Sequence, residues 1–377
     1  MALIAGYARS PFTPARKGKL ARTRPDDIAA AVVNGLLKKL EVNPDLVEDL
    51  IVGTAFPEAE QGFNLARMLT FLTELPDSVP GVTVNRFCGS SMQAIHDAVG
   101  RIAMGSGECF IAGGIESMSR IPMTGFNPMP NPRMAEVAPG AFTSMGITAE
   151  NLAVKYSIGR ETQEEFAVES HARATRALEG GYFVEEIVGI QTEGGLVDLD
   201  ECIRPGTDSE ILAELKPAFD VDGSVTAGTS SPLTDGAAFV LVCSEDFAKS
   251  HGIKPLARVL STAVSGCAPE IMGIGPVDAT KKALERAELK LEDIDIVELN
   301  EAFAAQSLAV IEELGLDKSI VNIDGGAIAL GHPLGASGAR ITGKAASLLQ
   351  RNGTKRALAI MCVGGGQGIA TILEKYE

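Results

Sequence analysis

Four residues of this 377-residue chain have side chains and neighbours suited to chemistry: Cys88, Asn300, His332 and Cys362. Cys88 ends an extended run, Val82-Thr83-Val84-Asn85-Arg86-Phe87, and is followed by Gly89-Ser90-Ser91, after which the pattern predicts a helix from Met92 to about Ala103. A thiol where a strand turns into a helix faces the unpaired N–H groups of the first helical turn and the positive end of the helix dipole. Both favour thiolate, the nucleophilic form. The competing role for any such cysteine is that of a small apolar core residue. His332 lies in Gly331-His332-Pro333-Leu334-Gly335-Ala336-Ser337-Gly338, a glycine-dense turn where backbone can approach a ligand closely. Asn300 opens Asn300-Glu301-Ala302-Phe303-Ala304, and on local grounds equally suits the cap of a helix beginning at Glu301. Cys362 precedes Gly364-Gly365-Gly366-Gln367-Gly368, whose N–H groups can stabilise a developing oxyanion; filling the core at a strand end is the alternative.

Other chemistries find less support. The remaining histidines, His96, His171 and His251, fall in helical patterns or at a helix end. None of the six cysteines forms a C-x-x-C pair or a Cys/His cluster at zinc spacing, so no metal site is expected. The glycine runs are not a dinucleotide fingerprint, because no G-x-G-x-x-G joins a strand to a helix.

The elements that must position the four residues occur twice. One stretch runs from Pro25-Asp26-Asp27-Ile28 through Leu36-Leu37-Lys38-Lys39-Leu40 to Leu50-Ile51-Val52-Gly53-Thr54-Ala55-Phe56. The other runs from Pro276-Val277-Asp278-Ala279 through Lys281-Lys282-Ala283-Leu284 to Ile296-Val297-Glu298-Leu299-Asn300-Glu301-Ala302-Phe303. Each has an amphipathic helix, a short turn and a β-rich strand ending near a Phe. A second matched pair follows, with Val84-Asn85 leading to Cys88 and Val321-Asn322 leading to His332. Two α/β copies are therefore predicted, with mainly parallel sheets covered on both faces and sites beyond the carboxyl ends of strands. The first copy spans 1–117 and is completed by 236–252; the second spans 253–377. Between them, 118–235 opens with an irregular Pro/Met-rich loop and continues with a helix near Thr148–Tyr156. A second helix, introduced by a Thr162-Gln163-Glu164-Glu165 capping box, runs to Ala177. This segment is expected to cover a site.

Composition narrows the partners. With 49 acidic against 33 basic residues the net charge is −16, which disfavours nucleic acid, since phosphate binding needs stripes of Lys and Arg. A small anionic substrate held by a local basic patch remains compatible. Hydrophobic residues at 45% with 22% charged describe a chain that folds around a large core. No signal peptide and no membrane-length apolar run is evident, and cysteines without pairing motifs suit a reducing compartment, so a cytoplasmic protein is expected.

Asn85-Arg86-Phe87-Cys88-Gly89-Ser90-Ser91, Asn300-Glu301-Ala302-Phe303-Ala304, Gly325-Gly326-Ala327-Ile328-Ala329-Leu330-Gly331-His332-Pro333 and Cys362-Val363-Gly364-Gly365-Gly366-Gln367-Gly368 closely resemble the four signature blocks of the thiolases. The resemblance covers the whole chain, including Gly113-Gly114-Ile115-Glu116-Ser117-Met118 and Val225-Thr226-Ala227-Gly228-Thr229-Ser230-Ser231. It implies an α/β thiolase fold: two βαβαβαββ halves forming a layered αβαβα core with an inserted loop domain. It also implies thiolytic cleavage of 3-ketoacyl-CoA by CoA to acetyl-CoA and a shortened acyl-CoA, as in fatty-acid β-oxidation. By resemblance Cys88 carries the acyl group, His332 accepts the thiol proton and helps hold an oxyanion, and Cys362 is acid/base at the α-carbon. Asn300 holds the oxyanion water, and the Gly364 N–H completes a second oxyanion site. Arg204 matches a position near the adenine and phosphates of CoA; Ala227 and Ser231 match the pantetheine loop; Met145, Met272, Ala302 and Phe303 match its apolar walls.

The resemblance implies CoA as a substrate and no permanently bound cofactor. The expected assembly is a homodimer or homotetramer, or the thiolase partner of a hydratase/dehydrogenase subunit. A biosynthetic acetoacetyl-CoA thiolase condensing two acetyl-CoA is the alternative function. Ser144, where biosynthetic members typically carry His, favours the degradative one, as does the Thr229-Ser230-Ser231 form. An acyl-CoA-binding subunit without turnover would need none of Cys88, His332 and Cys362.

Overall fold

A computed structural model describes all 377 residues, Met1–Glu377. The five main strands of the first copy are Ala2–Arg9, Asp49–Gly53, Gly81–Val84, Cys109–Ser117 and Thr234–Ser244. Across the sheet they run 81–84, 49–53, 109–117, 234–244, 2–9. The second copy repeats this order with Ile296–Leu299, Arg356–Val363, Gln367–Lys375 and Ala257–Gly266. Where the first copy has its outermost strand, the second has a single parallel bridge between Val297 and Val321. The two sets join edge to edge through Leu3 with Arg258 and Ile4 with Ala257. The predicted duplication is therefore visible in the topology itself.

Strand direction departs from the expected mainly parallel sheet. Only 49–53 with 81–84, 49–53 with 109–117, and 296–299 with 356–363 are parallel. Each parallel pair is joined by a helical crossover, which forces that direction. The closing strands, 234–244 and 367–375, insert antiparallel between their neighbours. They return after a long excursion or a tight hairpin, neither of which imposes parallel pairing. The first copy's closing strand begins at Thr234, two residues before the predicted 236.

Helices Ser90–Ala103 and Leu334–Asn352 lie side by side between the two halves of the sheet. Their Met92, Ile95, Ala339, Ile341 and Ala345 share one core with Ile51 and Val240 of the first copy and Ala359 and Met361 of the second. Helices Pro25–Leu40 and Gly275–Arg286 close the outer faces. The result is five layers, helix–sheet–helix–sheet–helix, and strands buried on both faces read as continuous apolar runs. Gly338 brings the central helices together: a Cβ there would lie 2.5 Å from the backbone N of Met92. Ser91 Oγ accepts the Ala339 N–H at 2.8 Å across the same seam. Both helices thus start at one place, one just after Cys88 and the other just after His332.

Residues 118–233 lie outside the main strands and include helices Met145–Lys155 and Arg160–Glu179. The second of these starts two residues before the predicted capping box, with Gly159 at its cap. Thr162 is therefore helical and caps nothing, while Arg160 pairs with Glu164 at 2.7 Å. A buried ionic clasp ties the segment to both copies. Arg9 of the first strand forks onto Asp200 at 2.7 and 2.8 Å and reaches Glu186 at 2.9 Å. Lys344 of the central helix meets Glu186 at 3.2 Å and Asp324 at 2.7 Å. No helix is long and apolar enough to cross a membrane.

Candidate active site

Cys88 sits between strand Gly81–Val84 and helix Ser90–Ala103, as the local pattern predicts. Phe87 takes a left-handed conformation with φ +42°, so the chain turns sharply just before the thiol. Asn85 Oδ1 accepts the Phe87 N–H at 2.8 Å, and Ser90 Oγ accepts the Arg86 N–H at 2.9 Å while donating to Phe87 O at 2.6 Å. The turn is held by its own side chains, which offsets the cost of a non-glycine residue at positive φ. The backbone N–H groups of Gly364 and of Cys88 itself face the sulfur. A carbonyl oxygen held beside this sulfur would meet the same two donors.

The expected thiolate is not the resting form. Part of the residue reaches the surface, but its sulfur is deeply set, and desolvation pushes the thiol up to about 12. The Gly364 and Cys88 N–H groups pull downward, Glu116 pushes further up, and burial prevails. The helix terminus alone does not offset the loss of water, because apolar residues from both copies surround the thiol.

Asn300 follows strand Ile296–Leu299 and is fully buried, with its N–H on Ile360 O at 3.0 Å. It caps no helix: the next helix begins at Ala304, flanked by Phe303. Its Nδ2 approaches His332 Nε2 at 3.4 Å, and its Oδ1 has no hydrogen-bond partner. A buried acceptor left open in this way suits a bound water or a ligand donor.

His332 is fixed from three sides. Its N–H donates to Thr234 Oγ1 at 3.1 Å, and its Nδ1 lies 2.6 Å from Ser337 Oγ. Ser337 Oγ donates to Pro333 O at 3.3 Å, which leaves the hydroxyl oxygen to accept from Nδ1–H. The ring then presents the bare Nε2 lone pair to Asn300. Burial, aided by the charge of Arg340, lowers the imidazole to about 3, so it is neutral near pH 7 and free to take a proton. Gly331, at φ +104°, makes the turn; a Cβ there would come within 2.6 Å of Thr234 Oγ1.

Cys362 is the penultimate residue of strand Arg356–Val363 rather than part of the following turn. Burial raises its thiol strongly, and Cys88 raises it further, which places the two sulfurs in one electrostatic neighbourhood. Met145, Met272, Ala302 and Phe303 pack around it in a single apolar cluster.

The expected CoA contacts divide into two groups. Arg204 and Ala227 line a cavity of about 200 Å³ together with His171, Ser230 and Pro232. Met145, Met272, Ala302 and Phe303 stand instead beside Cys362, while Ser231 donates its N–H and Oγ–H to Ala302 O, each at 3.0 Å. A bridge between Ser230 and Phe303 connects the groups. Ser337, Thr234 and Glu301 were not among the expected residues. Ser337 stands in the quoted glycine-rich run one turn into the helix after His332, which was its available signal. Glu301 accepts from Ser170 Oγ and Asn322 Nδ2, each at 2.7 Å, and from Ile328 N at 3.2 Å.

Residues 2–246 match the family model described as thiolase, N-terminal domain, and residues 253–375 the model described as thiolase, C-terminal domain. A 3-ketoacyl-CoA thiolase of Bacillus subtilis (strain 168) is 47% identical over 386 residues, covering 99% of both chains. Two solved structures superpose with a TM-score of 0.92 over 100% of this chain and 98% of theirs, each at 40% identity. One is the acetyl-CoA acetyltransferase of Bacillus anthracis, the other human mitochondrial 3-ketoacyl-CoA thiolase in complex with CoA.

Proposed function

This chain belongs to the thiolase family and has its fold, and from that premise we propose how its residues divide the work. The protein is an acyltransferase that cleaves 3-ketoacyl-CoA with CoA, releasing acetyl-CoA and a shortened acyl-CoA. The observations that support the residue assignments are the two N–H groups beside the Cys88 sulfur, the electrostatic coupling of Cys362 to Cys88, and the Asn300–His332 pair, whose histidine lies on the turn that packs Leu334 against Cys88.

Cys88 attacks the 3-keto carbon while its proton passes to the bare Nε2 of His332. The carbonyl oxygen becomes an oxyanion between the N–H groups of Cys88 and Gly364. Carbon–carbon cleavage then leaves the enolate of acetyl-CoA. Its thioester oxygen is stabilised by His332 and by a water held on Asn300, whose open Oδ1 supports that role. Cys362 gives its proton to the α-carbon; a thiol whose ionisation is disfavoured by burial retains that proton until a carbanion forms. CoA enters in the second half-reaction, Cys362 takes its thiol proton, and the acyl group leaves Cys88 as a new thioester while the released Cys88 sulfur recovers its proton from His332. Because thioester replaces thioester, the transfer is close to balanced in energy.

Arg204 in the 200 Å³ cavity holds the nucleotide end of CoA, while Ala227, Ser231, Met145, Met272, Ala302 and Phe303 guide the pantetheine toward Cys88. The units are 1–117 with 236–252, the covering segment 118–235, and 253–377. The protein works in fatty-acid β-oxidation in the cytoplasm; six free cysteines suit a reducing compartment. A homodimer or homotetramer is the assembly that the surface suits: strand Gly81–Val84 is a half-exposed sheet edge, and Phe63 is 97% exposed with Phe71 and Leu72 exposed nearby in sequence.

CoA-dependent loss of the Mg²⁺-enolate absorbance of 3-ketoacyl-CoA, compared for C4 and C10 chains, tests the function. Strong C10 cleavage is expected. Activity confined to C4 would move the protein to the acetoacetyl-CoA enzyme, and inactivity on both would return it to a binding subunit.

A further inference from the structure

Glu116 is a fully buried carboxylate near the end of strand Cys109–Ser117, and the chemistry above does not use it. It accepts four hydrogen bonds. Three come from the first copy: Thr54 Oγ1 at 3.1 Å, Ala55 N at 2.7 Å and Gln61 Nε2 at 2.6 Å. The fourth comes from the second copy, Gly335 N at 2.9 Å, in the first turn of the helix that follows His332. Gly335 leaves the room for this contact: a Cβ there would lie 2.8 Å from Glu116 Oε2. Two residues that flank these donors in sequence matter next. Ala55 and Leu334 pack with Met118 and against Cys88. The carboxylate therefore stands behind the thiol and bonds directly to the backbone of the turn that carries His332.

Four donors fill the accepting positions of a carboxylate, so Glu116 cannot serve as a proton acceptor for Cys88. What it can do is hold geometry and impose a field. We propose that Glu116 is a positioning residue that locks the His332 turn of one copy against the Thr54–Ala55 loop of the other. The groups facing that sulfur agree with this role. Cys362 is kept neutral at rest by burial and by Cys88. Arg86, on the thiol's own loop, is turned away onto Gln93 Oε1 at 2.7 Å and Gln367 Oε1 at 2.8 Å. Glu116 is the charge felt at the sulfur, and it acts in the same direction as burial. A thiol kept protonated at rest is protected from oxidants and alkylating agents. During turnover the charge would pass onto the substrate oxygen, between the two N–H donors, rather than remain on sulfur.

This inference rests on Cys88 as the nucleophile, which peptide mapping of the alkylated enzyme checks separately: modification at Cys88 must parallel loss of thiolysis. The test itself uses the full chain with Glu116→Gln, Glu116→Asp and Thr54→Val. For each, the rate of Cys88 alkylation by iodoacetamide is followed against pH, with kcat and the KM for CoA. Removing the charge in Glu116→Gln should raise alkylation at pH 7 and move its midpoint down, the direction in which Glu116 acts on the thiol. kcat should fall while the KM for CoA changes less than about twofold. Glu116→Asp, which keeps the charge, should return the alkylation profile toward wild type. Thr54→Val keeps the charge but removes one positioning contact, so its alkylation profile should match wild type while kcat falls several-fold. A Glu116→Gln variant with wild-type kcat overturns the proposal. Should that variant fail to fold, a displaced alkylation profile or full activity in Thr54→Val overturns the proposal.

Discussion

Ser337→Ala offers the sharpest test of how His332 is made ready. The hydroxyl is buried, lies 2.6 Å from Nδ1, and has its own hydrogen directed to Pro333 O. It therefore accepts from Nδ1–H, which leaves Nε2 as the base. Alanine removes that acceptor from a site 5% exposed at His332. An unsatisfied buried donor costs about 1–3 kcal/mol, and the ring can escape that cost by moving its proton to Nε2. In that tautomer the nitrogen facing Asn300 no longer accepts a proton, and Cys88 loses its base. If the penalty falls on the productive tautomer alone, the acylation rate should drop by about 5- to 150-fold, taking 1.4 kcal/mol per factor of ten. Stopped-flow acylation with a 3-ketoacyl-CoA, in the absence of free CoA, measures this step alone. Ser337→Thr should restore most of the rate because it returns the hydroxyl, and the KM for CoA should remain near wild type. An alanine variant that acylates within twofold of wild type would refute the assigned tautomer.

Further outcomes follow from other contacts. Cys362→Ser should still exchange an acyl group onto Cys88, visible by intact mass, while thiolysis falls by about 10²–10⁴-fold, the range for loss of a general acid–base; near-normal turnover would remove Cys362 from that role. Gly338→Ala places a methyl 2.5 Å from Met92 N, a backbone atom of the facing helix, and should destabilise by about 1–3 kcal/mol in urea unfolding. His96, whose Nε2 lies 2.8 Å from Thr371 Oγ1, is lowered to about 3 by burial, with His171 at about 4 and His332 at about 3. Below about pH 6.5 the unfolded chain binds protons that these native histidines refuse, so stability should fall as pH drops toward 4. Glu298, raised to about 7, opposes this by keeping its native proton from about pH 4.5 to 7. His96→Gln should therefore flatten the slope of stability between pH 6.5 and 4 by up to about 1.4 kcal/mol per pH unit, measured by urea unfolding at each pH.

Legibility in the sequence followed the range of the interaction. The strand–turn–helix at Cys88 is set by neighbours within five residues, Asn85 and Ser90 among them, and local pattern was enough to find it. The duplication was legible because each copy buries the same sequence of helix and strand. Strand direction was not, since strands 234–244 and 367–375 take it from where their partners already lie. On local grounds Asn300 suited a helix cap as well as a site residue; the helix instead begins at Ala304 and leaves Asn300 buried beside His332. Thr162 carried a capping signature inside a helix that began at Arg160, where Glu164 offered an ion pair instead. The charge state of Cys88 was the largest departure: the helix terminus is local, but the desolvation that outweighs it comes from both copies.

Duplication also accounts for the asymmetry of the chemistry. Each copy ends a strand near the start of its central helix, and the two starts meet where Gly338 passes Met92. In the first copy that position holds Cys88; in the second it holds His332, whose Nδ1 is tied to Ser337 of the helix that follows it. A single copy would supply either the sulfur or the base. Even the N–H donors beside the sulfur are shared, with one from Cys88 and the other from Gly364. The catalytic geometry therefore depends on how the central helices pack, and contacts that cross their seam, such as Ser91 with Ala339 and Glu116 with Gly335, belong to the site as much as to the core. A substitution at that seam should consequently impair turnover before it unfolds the chain, because sub-ångström errors in placement cost rate steeply while many other contacts still hold the layers together.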